Sequence, residues 1–143
     1  MALLKAVDSV LLLDVLEHMY NPWAELRFLR QHLPRGAQGI VSLPNIGHIN
    51  ILGNLAAGNF FYEPAGILDI THVRFFTLPG VRAMFEQTGF EVQDATVISG
   101  SQCFRPDTFP TKISSGKLSL RVDSPEEWQV LSAVQFGFRL GWS

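Results

Sequence analysis

Residues 7–18 read VDSVLLLDVLEH, and this stretch decides the fold class. Val7 and Val10 to Leu13 make a short, β-rich apolar run, with Asp8 and Asp14 as its boundaries. A near-continuous apolar run of strand length suits a strand buried on both faces, as in parallel sheets. Directly after it come Asp14, Glu17 and His18, three polar side chains at the mouth of a buried strand. In open α/β sheets, ligands bind outside the carboxyl ends of the strands. Chemistry is therefore expected here.

Working outward, Asn21-Pro22 opens a helix, with Asn21 as N-cap and Pro22 at the first helical position. Trp23, Leu26, Leu29 and Leu33 share one of its faces, and Pro34-Arg35-Gly36 stops it. Residues 39–43 read as a second strand, ended by Pro44-Asn45. Residues 48–57 suit a short helix that Gly53 weakens, and residues 59–66 a loop. Thr77-Leu78-Pro79 begins the next helix; Val81, Met84, Phe85 and Thr88 form its inner face and Gly89 ends it. Residues 90–99 alternate like a third strand. Residues 100–117, rich in Ser, Gly, Pro and Thr, read as an irregular excursion, and residues 117–122 as a short strand. Ser124-Pro125-Glu126-Glu127 is a helix start, and Val134, Phe136, Phe138 and Leu140 alternate as a last strand. The alternation of strands and helices predicts one α/β layered domain over residues 1–143, with a largely parallel sheet and right-handed crossovers.

Composition narrows the partners. The chain has 143 residues, 47% of them apolar and 17% charged, so a packed core is expected and wholesale disorder is not. A net charge of −2 without a basic cluster argues against nucleic acid and against an anionic membrane surface. Cys103 is the only cysteine, which rules out an internal disulfide and suits a reducing cytoplasm. Asp8 and Asp14 break the apolar N-terminal run, and no membrane-spanning segment is expected.

Two segments carry candidate chemistry. In the first, His18 beside two carboxylates could be held in one tautomer as a general base; equally, Asp14 caps a turn and His18 packs. Asp14, Glu17 and His18 stand at i, i+3 and i+4, which also allows metal ligation, as in a metal-dependent enzyme. The pattern is not H-x-x-E-H, and His32, His48 and His72 show no ligand spacing, so no metal is expected. In the second segment, residues 69–77, an extended chain puts His72 and Arg74 on one face, where they could orient an anionic or hydroxylated substrate. The plainer alternative makes it a fixed connection, with Asp69 on a backbone N–H, Thr77 capping a helix, and Phe75 and Phe76 in the core. Phe60, Phe61 and Tyr62 suit an aromatic wall or a satellite core. No glycine-rich dinucleotide loop, Walker loop, G-x-S-x-G elbow or Cys–His nucleophile pattern is present.

The motifs together resemble a known family. D-x-x-E-H at 14–18, L-P-R-G at 33–36, S-L-P-N at 42–45, T-H-x-R-F-F-T at 71–77 and a helix ending EQTGF resemble class I S-adenosylmethionine-dependent methyltransferases. The nearest branch is that of small-molecule enzymes related to ubiquinone-biosynthesis O-methyltransferases. The resemblance runs over residues 7–97, and AVQFGFRLGW at 133–142 is similar to the family's last strand.

The resemblance implies a Rossmann-like sheet with helices on both faces and strand order 3-2-1-4-5-7-6, of which this chain supplies strands four to seven, closing with an antiparallel strand. It implies S-adenosylmethionine as cofactor, bordered by Asp14, Glu17 and His18, and a small-molecule or saccharide acceptor near Asn45, His48, His72 and Arg74. His18 or His72 would serve as catalytic base. The family's glycine-rich turn and ribose-binding acid have no counterpart here, so the chain is expected to be a C-terminal half that by itself binds the cofactor weakly or not at all. The alternative is a non-catalytic interaction module derived from the same fold. A missing neighbour for the strand at residues 7–13 would leave an edge open to self-association.

Overall fold

A computed structural model describes residues 6–100 and 105–142; Cys103 lies outside the described residues. The first strand, β1 (Ser9–Leu13), is followed by a single 3-10 turn at Leu16–His18 and by helix α1 (Pro22–His32). Strand β2 (Gln38–Pro44), helices α2 (Ile49–Ala56) and α3 (Leu78–Gln87), and strand β3 (Glu91–Gly100) come next. A hairpin of β4 (Thr111–Ser115) and β5 (Leu118–Val122), helix α4 (Pro125–Ser132) and strand β6 (Ala133–Gly141) complete the order.

The helix ends form where local chemistry satisfies their free N–H groups. The Asn21 side chain accepts from the Ala24 N–H at 3.1 Å, with Pro22 leading α1. Thr77 and Ser124 do the same for α3 and α4, accepting from Gly80 and Glu127 at 3.4 and 3.2 Å. The excursion expected at residues 100–117 is corrected at its end. Thr111–Ser115 pairs antiparallel with Leu118–Val122 across the two-residue loop Gly116-Lys117. Gly116 has φ +56°, the backbone sign that a two-residue hairpin loop needs.

The four-stranded sheet has the order β1-β2-β6-β3. β1 and β2 are parallel, whereas β6 lies antiparallel between β2 and β3. The sheet is therefore mixed, and the expectation of a largely parallel one is corrected. β1, β2 and β3 run the same way, but the returning β6 enters between two of them and converts two of the three pairings.

One face carries the core. Val41, Leu43, Phe136, Phe138 and Leu140 meet Leu26 and Leu33 at α1 with Val81, Met84 and Phe85 of α3, all buried. The α2 helix packs on the β4–β5 hairpin instead, where Ile49, Val122 and Trp128 make a smaller core. On the opposite face Leu11 and Leu13 are 63% and 53% exposed. Helices on both faces, and a first strand buried on both faces, are thus corrected. Burial alternates along β1, with Val10 and Leu12 packed on the core and Leu11 and Leu13 on the open face. No helix among the described residues is long and apolar enough to cross a membrane.

Candidate functional site

β1 ends at Asp14, whose φ of +54° places it in the left-handed region that Asp tolerates better than most residues. The turn is pinned from two strands. The Ser42 hydroxyl donates to Asp14 Oδ1 at 2.9 Å and accepts from the Asp14 N–H at 3.0 Å, while the Gln135 amide donates to the same carboxylate. The chain then makes its 3-10 turn, which buries Leu16 and Glu17 and leaves His18 exposed.

The connection before α3 folds back over this turn. The Val73 and Arg74 N–H groups both donate to the Glu17 carbonyl, at 2.9 and 3.0 Å, and the Ile46 N–H donates to the Phe76 carbonyl at 3.0 Å. These bonds carry His72, 8% exposed, to the mouth of β1. The His18 and His72 rings meet edge to face with centroids 4.8 Å apart. A pocket of about 280 Å³ opens between the two segments, lined among others by Asp14, Glu17, His18, Ile67, Asp69 and His72.

Glu17 is the unusual group. It is 1% exposed, and neither carboxylate oxygen has a hydrogen-bond partner. Burial pushes its carboxyl above the ordinary range, and the Asp14 charge adds to this. Its own backbone N–H, outside hydrogen-bond geometry, and the His72 and His18 rings pull the other way. Asp69 shows the opposite behaviour. The Thr71 hydroxyl and N–H donate to its Oδ1 at 2.6 and 2.8 Å and hold it below the usual carboxylate range.

Other candidate residues are placed elsewhere. Asn45 is 1% exposed and does not line the pocket. Its amide donates to the Val130 and Ala133 carbonyls, both at 2.9 Å, and its oxygen accepts from the Gly47 N–H at 2.9 Å. His48 caps α2, with Nδ1 accepting from the Asn50 N–H at 3.2 Å. Arg74 parts from His72: its guanidinium donates to the Val73 and Tyr20 carbonyls. These three hold the connections around the pocket. Phe60 and Tyr62 stack edge-on and tilted against Phe75, which in turn lies 6.3 Å from the His72 ring, so the aromatic run forms a half-exposed wall beside the site.

The groups that meet in space differ from those that the sequence spacing puts together. Glu17, His18 and His72 each offer a ligand atom, all within 4.8 Å of one another. Asp14 is not in this group, and His72, which shows no ligand spacing in the sequence, is. Ser42 and Gln135 join the site through Asp14. Ser42 stood inside the S-L-P-N motif, whereas nothing local marks Gln135.

No protein-family model matches the chain, and no curated protein does. Solved structures do. An S-adenosylmethionine-dependent methyltransferase from Thermotoga maritima, described as a possible histamine N-methyltransferase, superposes with a TM-score of 0.55 at 12% identity. The match covers 97% of this chain and 57% of that one. An S-adenosylmethionine-dependent methyltransferase from Archaeoglobus fulgidus superposes with a TM-score of 0.54 at 15% identity, covering 95% of this chain and 59% of its own. The chain therefore has a methyltransferase-like fold, and it spans 57% and 59% of the length of these two neighbours. At such identities the likeness is one of fold.

Proposed function

We propose that this chain is the acceptor-side part of an S-adenosylmethionine-dependent methyltransferase that acts on a small molecule. The observation that carries this reading is the pocket at the carboxyl ends of β1 and β2, inside a sheet of order β1-β2-β6-β3 with β6 alone reversed. That order corresponds to strands four to seven of the 3-2-1-4-5-7-6 arrangement that the sequence motifs imply. The open face of β1 supports a further body of chain packing there, in keeping with the part of the two neighbours' length that this chain does not span.

The cofactor, when bound, supplies an electrophilic methyl group. The chain's own residues orient the acceptor and handle its proton. Both imidazoles direct Nδ1 at a main-chain carbonyl, His18 at Thr71 and His72 at Ile67, which leaves Nε2 as the basic nitrogen. Either could take the proton of a hydroxyl acceptor as its oxygen attacks. Asp14, held by Ser42 and Gln135, and Asp69, held by Thr71, supply fixed negative charge on the pocket wall. Proximity within such a pocket provides most of the acceleration in a displacement of this kind.

Calorimetric titration with S-adenosylhomocysteine tests the reading on two proteins: the 143-residue chain, and the same chain extended by the coding sequence upstream of Met1. The extended protein is expected to bind with a micromolar constant and the shorter chain far more weakly. Absence of binding by the extended protein counts against methyl transfer. Equal binding by both counts against the proposed division of labour.

A further inference from the structure

We infer that Glu17, His18 and His72 form a site for a divalent transition-metal ion on the wall of the pocket. Three independent features converge. First, one ligand atom from each residue lies within 4.8 Å of those of the other two. Ligands around an ion with metal–nitrogen bonds of about 2.1 Å stand roughly 3–3.5 Å apart. Closing that gap asks little of the exposed His18 ring. Second, Glu17 is buried with both carboxylate oxygens unpartnered, and a buried acid without a donor is a group that a cation satisfies. Third, each imidazole donates its Nδ1 proton to a main-chain carbonyl, His18 to Thr71 at 3.2 Å and His72 to Ile67 at 3.0 Å. A metal-binding histidine is ordinarily held in this way, its second nitrogen turned to the ion.

The donor set also chooses the metal. Two imidazoles and one carboxylate suit zinc, manganese(II) or iron(II), whereas magnesium and calcium prefer all-oxygen sites. Asp14 lines the pocket, but its Oδ1 already accepts from Ser42 and Gln135. Three protein ligands leave a coordination position facing the pocket, where the oxygen of an acceptor can sit. An imidazole whose Nε2 holds a metal cannot also take a proton, so occupancy turns these histidines from bases into orienting groups. The site stands on its own geometry, and its test uses no cofactor, so it fails or survives separately from the methyl-transfer reading.

The experiment is titration of zinc and manganese(II) into the full chain after stripping with a chelator, with magnesium as comparison. One equivalent of zinc is expected to bind and to raise the melting temperature. Glu17→Gln keeps shape and removes the charge without breaking a hydrogen bond, so it should fold, as far-UV circular dichroism would check. It should weaken zinc by at least the roughly tenfold that even an outer-shell partner is worth. His18→Asn, at the exposed ligand, provides a second variant expected to act in the same direction. His32→Ala, at the last residue of α1 and outside the pocket lining, should leave the affinity unchanged. Zinc bound as tightly by Glu17→Gln as by the parent, or no stoichiometric binding at all, overturns the site.

Discussion

His48 shows how one side chain can tie local structure to pH. It is 4% exposed, and its Nδ1 must be unprotonated to accept the Asn50 N–H at the start of α2. Burial lowers its pKa, opposed by a hydrogen bond to the Ser132 backbone. The unfolded chain therefore takes up the proton more readily than the folded one. Stability is present above the ordinary value of about 6.5 and is lost as pH falls from there through the depressed folded value. His48→Asn keeps a capping acceptor that does not titrate in this range. Urea unfolding at pH 7.5 and 5.5 should show a smaller loss of stability for His48→Asn than for the parent. An unchanged loss would mean that other groups set the acid limit. At this scale the sequence was only partly legible. Asn45 and His48 were visible as polar residues after a strand, but the fold spends them on Val130, Ala133 and Asn50.

Among the elements, α2 and the β4–β5 hairpin explain each other. Gly53 weakens α2 as a sequence, yet a Cβ there would stand 2.2 Å from Ser115 Oγ and 2.7 Å from the Ser115 carbonyl oxygen. The glycine is the condition for the hairpin's close approach. Gly53→Ala should thus lower stability by about 1–3 kcal/mol through overpacking, although helix propensity alone favours Ala by about 1 kcal/mol. Denaturant unfolding reads the sign directly, and a stabilised variant would show that the hairpin can step back. The hairpin was missed in the sequence because the Ser, Thr and Pro content of residues 100–117 masks a five-residue alternation. Gly116-Lys117 between two alternating runs was the available signal.

For the whole molecule, the open side of the sheet is the main consequence of the fold. Among the described residues β1 pairs with β2 alone, and Leu11 and Leu13 stand exposed beside that free edge. We propose that the 143-residue chain self-associates here, since an unpaired apolar edge is a template for another strand. Leu11→Lys should shift light scattering of dilute protein toward monomer mass without loss of cooperative unfolding. If association persists unchanged, it runs through another surface.

Local chemistry was enough for the elements. The caps at Asn21, Thr77 and Ser124, the apolar faces of α1 and α3, and the polar group after β1 all depend on residues a few positions apart. They were readable because their physics closes within one turn of chain. The site itself was decided by the tertiary structure. His18 reaches Thr71 across 53 positions and Gln135 reaches Asp14 across 121. Those meetings exist only once β6 has entered the sheet beside β2 and the connection before α3 has folded back onto the Glu17 carbonyl. No periodicity encodes such contacts, because they follow from strand order and direction. That is why spacing in the sequence groups Asp14 with Glu17 and His18, whereas the side-chain atoms that meet in space are those of Glu17, His18 and His72.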